Sequence, residues 1–100
     1  MDTVTLKRIL IEEMQGHAGV GLNAYSYLTE NEAEQIYTVV DIATVREQRL
    51  VSTVLIARLM ADRIVIELDH NDKELVDALT ARGVPNEQII LAYRSDPVPA

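Results

Sequence analysis

LVSTVLIARLMADRIVIEL, the stretch from Leu50 to Leu68, decides the fold. Its first eleven residues hold no Gly or Pro and are crowded with Val, Ile, Leu and Thr, side chains that suit a pleated, half-buried surface. Ala61-Asp62 makes a tight break, and Arg63 to Leu68 resumes the same texture. The pattern predicts two antiparallel strands joined by a short turn. In strict alternation the first strand puts Val54, Ile56 and Met60 on one face and Val51, Leu55 and Leu59 on the other. A strand apolar on both faces is covered on both. Helices supply one cover, and a partner is expected to supply the other, which predicts a homo-oligomer or an obligate complex.

Upstream, Ile36 to Val45 is a second β-branched run, separated from the first by the turn Arg46 to Gln48. Before it, Ala24, Ser26 and Leu28 alternate with Tyr25 and Tyr27, and Thr29 to Glu34 is a polar turn. These segments predict a four-stranded antiparallel meander. Gly16, Gly19 and Gly21 precede it and predict a loop. Thr3 to Gln15 has helical period, with Leu6, Ile9, Leu10 and Met14 on one face, Lys7, Arg8, Glu12 and Glu13 on the wet one, and Asp2 or Thr3 as N-cap.

Downstream, Asn71 as N-cap with Glu74 three residues on predicts a second helix opened by a capping box. Leu75, Ala78, Leu79 and Arg82 share its inner face, Gly83 is the residue for a left-handed C-terminal stop, and Pro85 prevents continuation. Ile89 to Tyr93 reads as a last short strand, and Arg94 to Ala100, with two prolines, as a tail. The expected class is α+β in one domain, residues 1–100: an N-terminal helix, the meander, a second helix and a short C-terminal strand.

With 48% hydrophobic residues and four aromatics, all Tyr, the core must be aliphatic. The chain has no cysteine, which excludes disulfides, thiolate nucleophiles and sulfur-ligated zinc, and suits a cytoplasmic protein. No apolar run approaches a membrane span. The formal charge of −7, from 16 acids against 9 bases, disfavours direct contact with nucleic acid, because affinity for phosphates comes from Lys and Arg releasing counterions. The charge suits a partner with a basic face.

Chemistry-bearing groups are few. His17 and His70 have no second ligand at helical spacing, and a surface or capping role explains each more simply. Glu67, Asp69 and Asp72 form the richest oxygen cluster and carry the metal-dependent, nuclease-like alternative, with Glu67 and Asp69 on one strand face and Lys73 beside them. The cluster lacks the glycine and distal Glu of a calcium loop, and capping of the second helix is the simpler use of it. Tyr25, Tyr27 and Tyr37 on one sheet face, with Arg46, Arg49, Arg58 and Arg63 around two turns, carry the direct nucleic-acid alternative. Cross-strand packing and a solvated rim are the simpler readings.

From Tyr37 to Tyr93 the chain resembles the XisI family, the fdxN-element excision controlling factors. The resemblance rests on Tyr37 and Val39, Arg49-Leu50-Val51, Asp62-Arg63-Ile64-Val65-Ile66, and Leu79 followed by Gly83-Val84-Pro85 and Ile89-Ile90-Leu91-Ala92-Tyr93. The Gly-Val-Pro segment after a helix is its most specific part. The family's usual Gly-Trp pair is replaced by Ala43-Thr44, its common His by Ile56, and its usual tail after Asp96 is absent. The resemblance implies an α+β fold and a non-enzymatic, regulatory role beside a nuclease-like, XisH-like companion in DNA-element excision, or as an antitoxin-like subunit. It implies no catalytic residue, cofactor or metal. The candidate partner-binding residues are Glu30, Glu32 and Glu34 at the first turn, Glu67, Asp69 and Asp72 at the strand-to-helix corner, and Arg49, which orients its loop.

Overall fold

The computed structural model describes residues 1–99; Ala100, the end of the expected tail, lies outside them. Helix α1, Thr3–Gln15, is followed by strands β1 (Gly19–Val20), β2 (Ala24–Asn31), β3 (Ile36–Val45), β4 (Gln48–Met60) and β5 (Arg63–Asp69). Helix α2, Leu75–Ala81, leads to β6, Ile89–Leu91, and a short 3₁₀ turn follows at Ala92–Arg94. All six strands form one sheet in sequence order, antiparallel except for the β5–β6 pair, which α2 connects in parallel. The expected meander is therefore the centre of a larger sheet. Its unforeseen member is β1, drawn from the glycine loop, where Gly19 and Val20 pair with Ser26 and Tyr25.

Both helices lie on one face of the sheet. Leu6, Ile9, Leu10 and Met14 of α1 and Leu75 and Leu79 of α2 pack on Tyr37, Val39, Leu55, Ala57, Leu59, Ile64 and Ile66. Asp2 caps α1 by accepting from the Thr5 N–H and hydroxyl. The Arg82 guanidinium donates to Glu12 at 2.8 Å and Glu13 at 3.2 Å, tying the end of α2 to α1.

The two ends of α2 differ from each other in legibility. At the C-terminus, Gly83 takes φ +91°, its N–H bonds Thr80 O, and Val84 N–H reaches back to Leu79 O. That is a Schellman stop, and its usual apolar contact is present in buried Val84 and Leu79. At the N-terminus the expected capping box does not form. The helix begins at Leu75, and Glu74 makes no side-chain cap. Asp69 takes that role from the end of β5: one oxygen accepts from Leu75 N–H at 2.7 Å, the other from the Asn71 backbone and side-chain amides.

Two bulges decide which side chains face the helices. Opposite Val39 and Val40, β4 carries Val54 as an extra residue, and opposite Ile56 and Ala57, β5 carries Glu67. A bulge shifts the alternation by one, so everything beyond it changes face. Strict alternation groups Val51 with Leu55 and Val54 with Ile56; the structure reverses both. Leu55, Ala57 and Leu59 are buried beneath the helices, and Val54 packs beside them. Val51 moves to the open face, in the row Tyr25–Ile42–Val51.

Candidate protein-interaction surface

The acids of the first turn sit where β2 ends and the chain reverses. Glu30 stands opposite Tyr37, on the helix-covered side of the sheet. Glu32 accepts a 2.7 Å bond from Lys7 Nζ, which anchors the turn to α1 and holds the Glu32 carboxyl below its ordinary pKa. Glu34 N–H is bonded by the Asn31 side chain, fixing the turn, and all three glutamates are exposed. The turn is thus a rigid, solvent-facing acidic edge with one of its charges compensated.

The corner acids are dispersed. Asp69 is occupied with capping α2, and Glu67, displaced by its bulge, pairs with Arg58 at 2.7 Å on the sheet face opposite to Asp69. The expectation that Glu67 and Asp69 share a face fails for this reason. Asp72 is exposed on the connecting turn. Among the described residues no three His, Asp or Glu side chains group so as to hold a metal ion. The first-turn and corner acids stay apart, with β3 and β4 between β2 and β5. At ~4.8 Å per strand that is roughly 14 Å.

The aromatic and arginine groups also separate. Tyr25 and Tyr27 lie edge to face on the open side, ring centroids 5.2 Å apart, and Arg49 donates to the Tyr25 hydroxyl at 3.3 Å. Tyr37 belongs to the other face, fully buried beneath α1, and its hydroxyl finds no hydrogen-bond partner among the described residues. Burial pushes its pKa up, only partly opposed by the Lys7 ammonium. Arg46 and Arg49 lie at one end of β4, Arg58 and Arg63 at the other. Nine residue steps along β4 separate Arg49 from Arg58, about 30 Å, so the four make no continuous basic patch. His17 is half-buried, its ring nitrogens against Glu13 O and Lys73 O; His70 is exposed.

Sequence reasoning missed where the exposed apolar surface would lie. Val51 is 64% exposed, Tyr27 53% and Val20 90%, and all three are on the open face. The signal for it was the apolar excess of Leu50 to Met60; only the bulge at Val54 assigned the side.

The chain matches the model of the XisI family, described as XisI protein, over residues 1–98. Two solved structures share its fold. One is a XisI-like protein from Anabaena variabilis ATCC 29413, with TM-score 0.66 and 17% identity over 87% of this chain and 79% of that one. The other is the fdxN element excision controlling factor XisI of the same organism, with TM-score 0.65 and 23% identity over 92% and 93%. No curated protein is similar enough in sequence to count as a match. The two structures speak for the architecture of α1, the sheet and α2, and the family match runs from the first helix through the final turn. This chain belongs to the XisI family.

Proposed function

We propose that this chain is a non-enzymatic controlling factor for excision of a DNA element, a cytoplasmic XisI-like domain that acts by binding a nuclease-like, XisH-like companion. Restraint of that companion, as by an antitoxin, is the same physical act with a different outcome. The observation that carries the reading is the acidic turn of Glu30, Glu32 and Glu34, exposed and fixed in place on a chain of net charge −7. A protein that grips DNA presents a basic surface, and an acidic edge is its electrostatic complement. Glu67, Asp69 and Asp72 are the lesser candidates, because two of them are engaged within the fold. Arg49, held to Tyr25, orients the β3–β4 end. The chain is proposed to work as a homo-oligomer.

The test is association of the purified chain with its companion. Reversing Glu30 and Glu34 to Lys leaves the Lys7–Glu32 tie intact and should slow association at least several-fold, with the wild-type rate falling as salt rises. The chain alone should show no salt-sensitive affinity for duplex DNA. Tight duplex binding by the isolated chain at physiological salt would overturn the proposal.

A further inference from the structure

The helix-free face of the sheet is apolar where it is uncovered. Its rows Tyr25–Ile42–Val51 and Tyr27–Val40–Thr53 run across β2, β3 and β4, and Val20 extends the first of them onto β1. At the β5–β6 end the same face is closed. The chain reverses at Ser95, Asp96 and Leu91 bond each other, and Pro99 comes to lie beside Met60 and Arg63. Val65 and Ile90 are buried there. Over β1 to β4 the described residues supply no such cover. The opposite side of the outer half is mixed: Ser26 donates to the Asp41 carboxylate, with Ser52 next in the row, while Leu50, opposite Ala43, and Val45 are apolar and part-exposed. Of the two sides of this half of the sheet, the one without helices carries more of the large apolar side chains.

The charge distribution says what covers it. β2 and β3 carry one acid each, Glu30 and Asp41, both on the other face, and β4 carries none. Glu67 of β5, on this face, is neutralised by Arg58. On a chain with 16 acids, this is a broad surface on which two copies can meet without opposing carboxylates. It is also the wrong surface for a basic companion, since its charges are arginines. Three strands at ~4.8 Å and about nine residues at ~3.4 Å, with the two residues of β1 added, give a plan area on the order of 470 Å². Before side-chain relief is added, that is more than half of the roughly 800 Å² that each partner contributes to a stable interface.

We propose that two copies of this chain pack through the open face of β1 to β4 about a twofold axis, sheet on sheet. The interface is built on Tyr27, Val40, Ile42 and Val51 and leaves the acidic turn free for the companion. It deepens the homo-oligomeric part of the functional reading, and because it is tested without the companion, either can fail alone. Light scattering of the isolated chain at tens of micromolar should give twice the 11.2 kDa of one chain. Val51→Lys and Tyr27→Lys, at already exposed positions, should raise the dissociation constant by about tenfold or more, whereas Val4→Lys, on α1 and 81% exposed, should not. The absence of cysteine allows a second measurement that needs no loss of packing. A single thiol placed by Thr38→Cys, on this face between Thr29 and Ile56, should crosslink two copies through a short bismaleimide, and one placed by Val4→Cys should not. A monomeric wild type, a dimer that survives both lysine variants, or equal crosslinking from the two thiols would overturn the proposal.

Discussion

Leu55 and Val51 lie four residues apart on one strand, and one is fully buried while the other is 64% exposed. The contrast extends to the two halves of the sheet they belong to. In the inner half Tyr37, Val39, Leu55, Leu59, Ile64 and Ile66 are sealed beneath two helices. In the outer half Tyr25, Ile42, Val45, Leu50 and Val51 are as apolar, but among the described residues no helix covers them. Register and length together explain the division: Tyr25, Ile42 and Val51 point away from the helices, whereas Val45 and Leu50 are on the helix side but beyond the helices' reach. The 13 residues of β4 rise ~44 Å, whereas the 13 residues of α1 span only ~20 Å. The molecule is accordingly 45 Å long and 23 Å thick. Residue type states what a strand tolerates; register and the reach of the helix decide what is buried.

The largest effect should separate the two halves directly. Leu55→Ala removes a side chain from a sealed core and should cost about 3 kcal/mol, through lost burial and the cavity left behind. Val51→Ala should change the unfolding free energy by less than about 0.5 kcal/mol, measured in urea at a concentration too low for self-association. Equal costs would mean that the outer half is packed in the monomer as well.

A smaller effect, of opposite sign, is expected at the tip of the outer half. Arg46 and Glu47 join β3 to β4 in a two-residue turn with φ +51° and +66°. Both are left-handed, a conformation that costs side chains with a Cβ and favours Asn and Gly in such hairpins. Replacing the pair by Asn-Gly should stabilise the chain by about 1 kcal/mol, read as a higher urea midpoint with an unchanged slope. Loss of stability would show that these two side chains make contacts worth more than the turn strain.

The smallest effect concerns three carboxylates whose bonds fasten α1. The Thr5 N–H and then its hydroxyl lower the Asp2 pKa, the hydrogen bond from Arg82 lowers that of Glu12, and the one from Lys7 lowers that of Glu32. A carboxyl with a depressed folded pKa contributes stability that is complete above its unfolded value, 3.8 for Asp and 4.5 for Glu, and lost as pH falls through the folded one. Unfolding should therefore become easier below about pH 4.5. The double variant Glu12→Gln, Glu32→Gln should show a shallower loss than wild type between pH 5 and pH 3. These pairs are exposed, so the difference will be modest. An identical acid limb would show that other carboxylates dominate it.

Much of the fold was legible because its signals are local. The bounds Thr3–Gln15 and Ile36–Val45 follow from apolar period and β-branched content, the Asp2 cap from residue type, and the Gly83 stop from the only residue that adopts φ +91° without strain. The strand β1 was not legible, because two residues among glycines carry no period. Neither was the capping of α2, since Asp69 reaches it from six residues upstream, beyond the i to i+3 spacing on which a capping box is recognised. The acids of the candidate surface were visible as residues, but their status was not. Glu32 is tied to Lys7 across 25 residues, and Asp69 is committed to the backbone of α2.

Composition, period and turn chemistry by themselves determined the α+β class, the acidic character, the aliphatic core and the presence of more apolar strand than two helices can cover. They determine these because each is a property of one segment or of the whole count. Which face that surplus occupies was decided only by the tertiary structure. The bulge at Val54 arises from how β4 pairs with β3, and one extra residue inverts every side chain beyond it. Tyr37 went to the core and Tyr25 and Tyr27 to the open face by the same logic of register. Alternation is a local rule with a phase, and the phase is set by the neighbouring strand.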